Sequence, residues 1–133
     1  MTYYFATTLG RPFDEAVAAV REALAAEGFG IISEIDVRET MKAKIGEDFR
    51  PYVILGACSP RLAYEALMLE DKVGAMLPCN VVVQDAGGGR TEVAAIDPVA
   101  SMQAIANPAL KEKAALVAGK LQAAIGRLQA DGV

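Results

Sequence analysis

The sequence predicts an α+β fold: a two-layer α/β sandwich, with a mixed sheet of about five strands and helices on one face. The predicted element order is β-α-β-α-β-α-β-β-α. Three observations lead there. β-branched and aromatic runs alternate with segments whose apolar residues recur every three or four positions. Gly, Pro, Asn and Asp punctuate the changes of period. The 133 residues, 53% hydrophobic and 23% charged, suffice for one core without disulfide or metal support. The chain, 1–133, is therefore read as a single domain.

The first strand runs from Thr2 to Leu9, and Gly10-Arg11-Pro12 breaks it. A helix follows, with Asp14 and Glu15 in its first turn, where negative charge meets the positive end of the helix dipole. Phe13, Val17, Val20 and Leu24 make one helical face, and Gly28 ends it. Phe29 to Ile35 is a second strand, with Phe29, Ile31, Ser33 and Ile35 on one side. Asp36, followed by Glu39 three residues on, reads as the N-cap of a short helix that Gly46 closes. Pro51 opens a third strand, Tyr52 to Ala57, apolar on both sides and so placed inside the sheet. Cys58 ends it, Ser59 reads as an N-cap, and Pro60 takes the first helical position. This helix runs to about Glu70, and Asp71 to Pro78 is a loop. Cys79–Gln84 and Thr91–Ile96 flank Gly87-Gly88-Gly89 as a β-hairpin, which also accounts for the glycines and Arg90 better than a phosphate loop does. Asn107-Pro108 starts the last helix, where Leu110, Ala114, Val117, Leu121, Ala124 and Leu128 alternate four and three. That stripe suits either a partner helix or the chain's own sheet. A single helical layer leaves the other sheet face uncovered, and self-association would bury it.

Composition excludes several chemistries. The chain has no histidine, so a Ser-His-Asp triad, a histidine base and a His-ligated zinc or haem are absent. Seventeen acids against thirteen bases leave a net charge of −4, which argues against nucleic acid as a partner. The start, Met1-Thr2-Tyr3-Tyr4-Phe5, lacks the basic and apolar regions of a signal peptide, and no apolar run is long enough to span a bilayer. A cytoplasmic protein with two reduced thiols and no membrane partner is expected.

Four blocks carry a family resemblance. They are Gly28-Phe29 with Glu34-Ile35-Asp36-Val37, then Pro51-Tyr52-Val53-Ile54-Leu55-Gly56-Ala57-Cys58-Ser59-Pro60, then Leu77-Pro78-Cys79-Asn80-Val81-Val82-Val83, and finally Ile96-Asp97-Pro98. In this order they resemble the domain-of-unknown-function 302 family, which would place Asn at least as often where Ser59 stands. The resemblance implies a two-layer α/β fold, often a homodimer, and brings no reaction or ligand with it.

The candidate site centres on Cys58, at a strand-to-helix junction where backbone N–H groups and the helix dipole favour a thiolate. Its alternative role is that of a small buried hydrophobe. Cys79 would meet Cys58 if the eight-residue loop, with a reach of roughly 26 Å, returns the chain to the same end of the sheet. In parallel strands the two would lie at opposite ends. Met76 would add a thioether for a soft metal, or fill the core. Asn80, Asp36, Glu65 and Asp97 complete the candidate ligand-binding set, although their positions favour a helix-cap role for Asp36, the first place of an Asp-Pro turn for Asp97 and a surface pair with Arg61 for Glu65. No spacing specifies a resident metal site, and no motif names a cofactor. The leading expectation is a cytosolic homodimer that binds a small molecule, a sulfane sulfur or a soft metal in a cleft near Cys58 and Cys79. The alternatives are an enzyme using Cys58 as redox or nucleophilic thiol, with a carboxylate, Tyr52 or Tyr64 as base, and an adaptor dimer without a small ligand.

Overall fold

The computed structural model describes residues 2–131. Five strands form one sheet: β1 (Tyr4–Leu9), β2 (Gly30–Asp36), β3 (Tyr52–Cys58), β4 (Cys79–Gly87) and β5 (Arg90–Ile96). Their spatial order is β1-β5-β4-β3-β2. Every pairing is antiparallel, which corrects the expectation of a mixed sheet. The helical segments between β2 and β3, and between β3 and β4, do not cross over to a parallel neighbour. They are excursions that leave and re-enter at the same sheet end. The first helix alone spans the sheet, since β1 and β2 are its two edges.

The helices are α1 (Phe13–Ala26), α2 (Val37–Ile45), α3 (Pro60–Leu69), α4 (Pro98–Ser101) and α5 (Pro108–Asp131). A 3-10 helix, Asp71–Met76, occupies the segment expected as loop, and α4 is an element the sequence reading missed. Among the described residues no helix is long and apolar enough to cross a membrane.

Strand alternation divides the sheet into two faces. Leu55, Val81, Val83, Val93 and Ala95 point to the helical layer and are almost fully buried. They pack with Val20 and Leu24 of α1 and with Leu121 and Leu128 of α5 as the main core. The heptad-like stripe of α5 is thus consumed within the chain. A second, smaller core lies beyond the sheet end, where Ala66, Val73, Met102, Leu110 and Ala114 meet.

Capping chemistry is present at three helix starts, expected at Asp36 and Asn107, whereas Asp97, expected to open a turn, instead caps α4. The carboxylate of Asp36 accepts a hydrogen bond from Glu39 N at 2.9 Å, and that of Asp97 one from Val99 N at 3.0 Å. Asn107 Oδ1 accepts from Leu110 N at 3.1 Å, while its Nδ2 donates to Leu69 O at 3.1 Å and ties α5 to the end of α3. Ser59 holds the N-cap position of α3, but its side chain makes no cap bond. In the β4–β5 turn Gly87, Gly88 and Gly89 all have positive φ, a geometry that side chains resist.

One irregularity shapes the site. Ile31 pairs with Ala57, yet Ser33 pairs with the adjacent Gly56, so Ile32 is an extra, bulged residue in β2. Ile31 and Ser33 therefore face opposite sides, which corrects the single-sided alternation expected from the sequence. Ser33 lies over Gly56 together with Pro78, whose Cγ is 2.7 Å from where a Cβ on residue 56 would stand. The proline ring cannot rotate away. Gly56→Ala is expected to destabilise the fold by about 1–3 kcal/mol through overpacking, measured as a lower midpoint of urea denaturation. An unchanged midpoint would contradict this close approach.

Candidate functional site

β3 ends at Cys58, and the chain then leaves the sheet through α3 and the 3-10 helix before returning at Pro78 and Cys79. Because β3 and β4 are antiparallel neighbours, departure and return lie at the same end. Ala57 stands directly opposite Cys79, so the two cysteines are brought together. The excursion does not close down on the sheet. Between the main core and the smaller one lies a cavity of about 260 Å³. Its wall includes Phe29, Ala57, Cys58 and Cys79 on the sheet side, Leu62, Ala63 and Ala66 from α3, and Met102, Leu110, Ala114 and Val117 from α4, its end and α5. The space follows from residue size. Ala57, Ala63, Ala66, Gly74 and Ala114 stand where larger side chains would have interdigitated. An apolar void of about 150 Å³ already admits a benzene ring.

Among the described residues, four of those lining the cavity have side chains with polar atoms: Cys58, Ser59, Cys79 and Lys113. Cys58 is half-buried at the strand end and Cys79 is 6% exposed; both thiols are free. Burial, assisted by the neighbouring Cys58, pushes the Cys79 thiol up to about 11 from an ordinary 9.0. At neutral pH Cys79 is a neutral thiol. Lys113 Nζ and Glu65 Oε1 form an ion pair at 2.8 Å that bridges α5 and α3. The hydrogen bond from Lys113 holds the Glu65 carboxyl below its usual range, against the opposing effect of burial, with the Lys113 and Arg61 charges adding to the lowering. Glu65 was expected to pair with Arg61; the lysine of the facing helix takes it instead.

The structure separates the remaining candidates. Asn80 pairs with Gly56 on the open sheet face, away from the cavity. Asp36 caps α2 at the far end of the sheet, beside Pro12, Arg38 and Tyr52. Asp97 stands at the cavity end, but its carboxylate is engaged by Val99 N, and its neighbour Pro98 is what reaches the wall. Tyr64 is exposed on α3, Tyr52 lies against the open face, and Met76 does not line the cavity. Sequence reasoning missed Lys113 and Met102. Lys113 lies three residues after Leu110 and four before Val117, on the flank of the α5 stripe, and that spacing was the available signal.

A five-stranded antiparallel sheet with one helical layer and an apolar cavity at one end defines a small α+β domain. The family model "Domain of unknown function DUF302" matches residues 5–128, and the chain belongs to this family. The chain is also similar to a protein whose structure is described as "Crystal structure of uncharacterized conserved protein DUF302 from Bacillus stearothermophilus". That likeness has 30% sequence identity and a TM-score of 0.87, covering 96% of this chain and 98% of the other. No curated protein matches the chain.

The raised Cys79 value fixes a pH dependence. Below pH 9.0 the folded and unfolded chains both keep the proton, and this thiol leaves stability unchanged. Between pH 9.0 and about 11 the unfolded chain releases it and the folded chain does not, so stability falls. The loss across that window is at most about 3 kcal/mol. Urea denaturation on either side of the window, compared with Cys79→Ala, should display a decline that the variant lacks. Iodoacetamide at neutral pH should label Cys58 well before Cys79, read by peptide mass spectrometry; equal labelling would contradict the burial described.

Proposed function

We propose that the chain is a binding domain for a small, largely apolar molecule held in the cavity, with the thiols of Cys58 and Cys79 in its wall. The observation that carries this is a cavity of about 260 Å³ walled by hydrocarbon except at four side chains. Concave apolar sites with a few placed polar groups are the usual form of small-molecule sites. A soft metal fits less well, because among the described residues no three His, Cys, Asp or Glu side chains gather as ligands. Catalysis by Cys58 also fits less well, since Tyr52 and Tyr64 do not line the cavity. Free thiols on both cysteines accord with a cytosolic location.

A neutral probe tests the reading. Titration with 1-octanol should shift the methyl NMR signals of Ala66, Met102 and Ala114 saturably, and Ala114→Phe should abolish the binding by filling the space. Methyl signals that stay put in octanol would overturn it.

A second reading concerns assembly, and it rests on the open sheet face. By the strand registers that face carries Tyr4, Ile35, Tyr52, Ile54, Val82 and Ile96 beside the polar Thr8, Ser33, Asn80 and Gln84, and among the described strand residues its charges are Arg90 and Glu92, of opposite sign. Glu92 is itself engaged by Gln84 at 3.0 Å. An apolar face with so little charge can meet its own copy without repulsion. We propose that it is the homodimer surface. Sedimentation should give a dimer for the native chain and a monomer for Val82→Glu; a native monomer would end this reading.

A further inference from the structure

We propose that the ligand of this cavity is a medium-chain carboxylic acid, its carboxylate taken by Lys113 and its hydrocarbon tail directed into the wall of alanines. This rests on the cavity being a ligand site, as proposed above, and adds the chemical class. Three observations carry it. First, among the described residues Lys113 is the one charged side chain in the lining, and it is a cation. A single charge in a hydrocarbon wall orients an amphiphile of opposite charge. Second, the partner Lys113 now holds is itself a carboxylate, Glu65, at 2.8 Å. The side chains are 31% and 36% exposed, so the pair is partly solvated and its exchange for another carboxylate is inexpensive. Glu65 also has a second cation one helical turn away, Arg61, whose charge it already feels. A ligand carboxylate can therefore replace Glu65 at Lys113 without leaving Glu65 far from any cation. Third, two apolar lining residues reach solvent, Ile32 at 64% and Leu67 at 42% exposure. The bulge in β2 is what makes Ile32 an added residue at this edge. An apolar tail entering past them would meet hydrocarbon from the surface inwards.

Octanoate and 1-octanol share a chain length and differ in charge, which separates the two claims. Calorimetric titration of the native chain with octanoate should give an affinity about tenfold or more above that of Lys113→Met, the scale expected for a hydrogen bond to a charged group. Octanol should bind both proteins alike. Glu65→Gln, which leaves Lys113 without its competitor, should tighten octanoate and leave octanol unchanged. If octanol binds but octanoate is indifferent to both substitutions, the carboxylate proposal is overturned and the apolar cavity reading stands. If neither compound binds the native chain, the cavity reading itself is lost and this inference with it.

Discussion

The antiparallel register of β3 and β4 governs how the domain is put together at its cavity end. With Ala57 opposite Cys79, the strand that leaves and the strand that returns share one sheet end. Everything between them, from Ser59 to Pro78, has to be accommodated there. The chain does this by building a second small core of Ala66, Val73, Met102, Leu110 and Ala114 beyond the sheet. The hollow lies where the two cores meet. The register in turn depends on close approach across Gly56, over which Ser33 and Pro78 pack from either neighbouring segment. Pro78 immediately precedes Cys79, so the same contact holds the second thiol in place. A side chain at residue 56 would act on the sheet and on the site together.

Much of the local structure was legible in the sequence because it rests on neighbouring residues. Asp36 and Asn107 cap helices as their positions suggest, and Gly87-Gly88-Gly89 turns a hairpin. The order of elements and the family followed from the same blocks, and α4 and the 3-10 helix were missed because their few residues show no period. Strand direction was less accessible. A helix between two strands reads the same whether it crosses over or makes an excursion, and the twenty residues 59–78 are long enough for either. The bulge at Ile32 was hidden because period-two alternation looks continuous through it. The cavity was hidden for a different reason: Ala63, Ala66 and Ala114 look like ordinary core positions until the neighbours that fail to fill them are known. Glu65 shows the limit of sequence spacing for charges, since a residue 48 positions away competes successfully with Arg61 one turn before it.

Charge is kept mainly at the periphery. Arg21 meets Glu34, Lys42 meets Asp48, and Arg127 Nε bonds Glu27 Oε2 at 2.7 Å, joining the end of α5 to the end of α1. Exposed pairs of this kind contribute at most about 1 kcal/mol each. The stability of the domain comes instead from aliphatic packing, where Leu55, Leu121, Val83 and Val93 are sealed from water. That division makes the Lys113–Glu65 pair a local feature of the cavity end rather than part of a broad electrostatic field.

The bulge in β2 has a bearing on solubility. β2 is an outer strand, and its free backbone groups would template a further strand from another molecule. Three isoleucines, Ile31, Ile32 and Ile35, make that segment the kind of sequence that adds readily to a growing fibril. The extra residue interrupts the regular ladder, and the charged Glu34 sits beside it. The kink that admits Ile32 to the hollow therefore also blunts the edge against runaway aggregation.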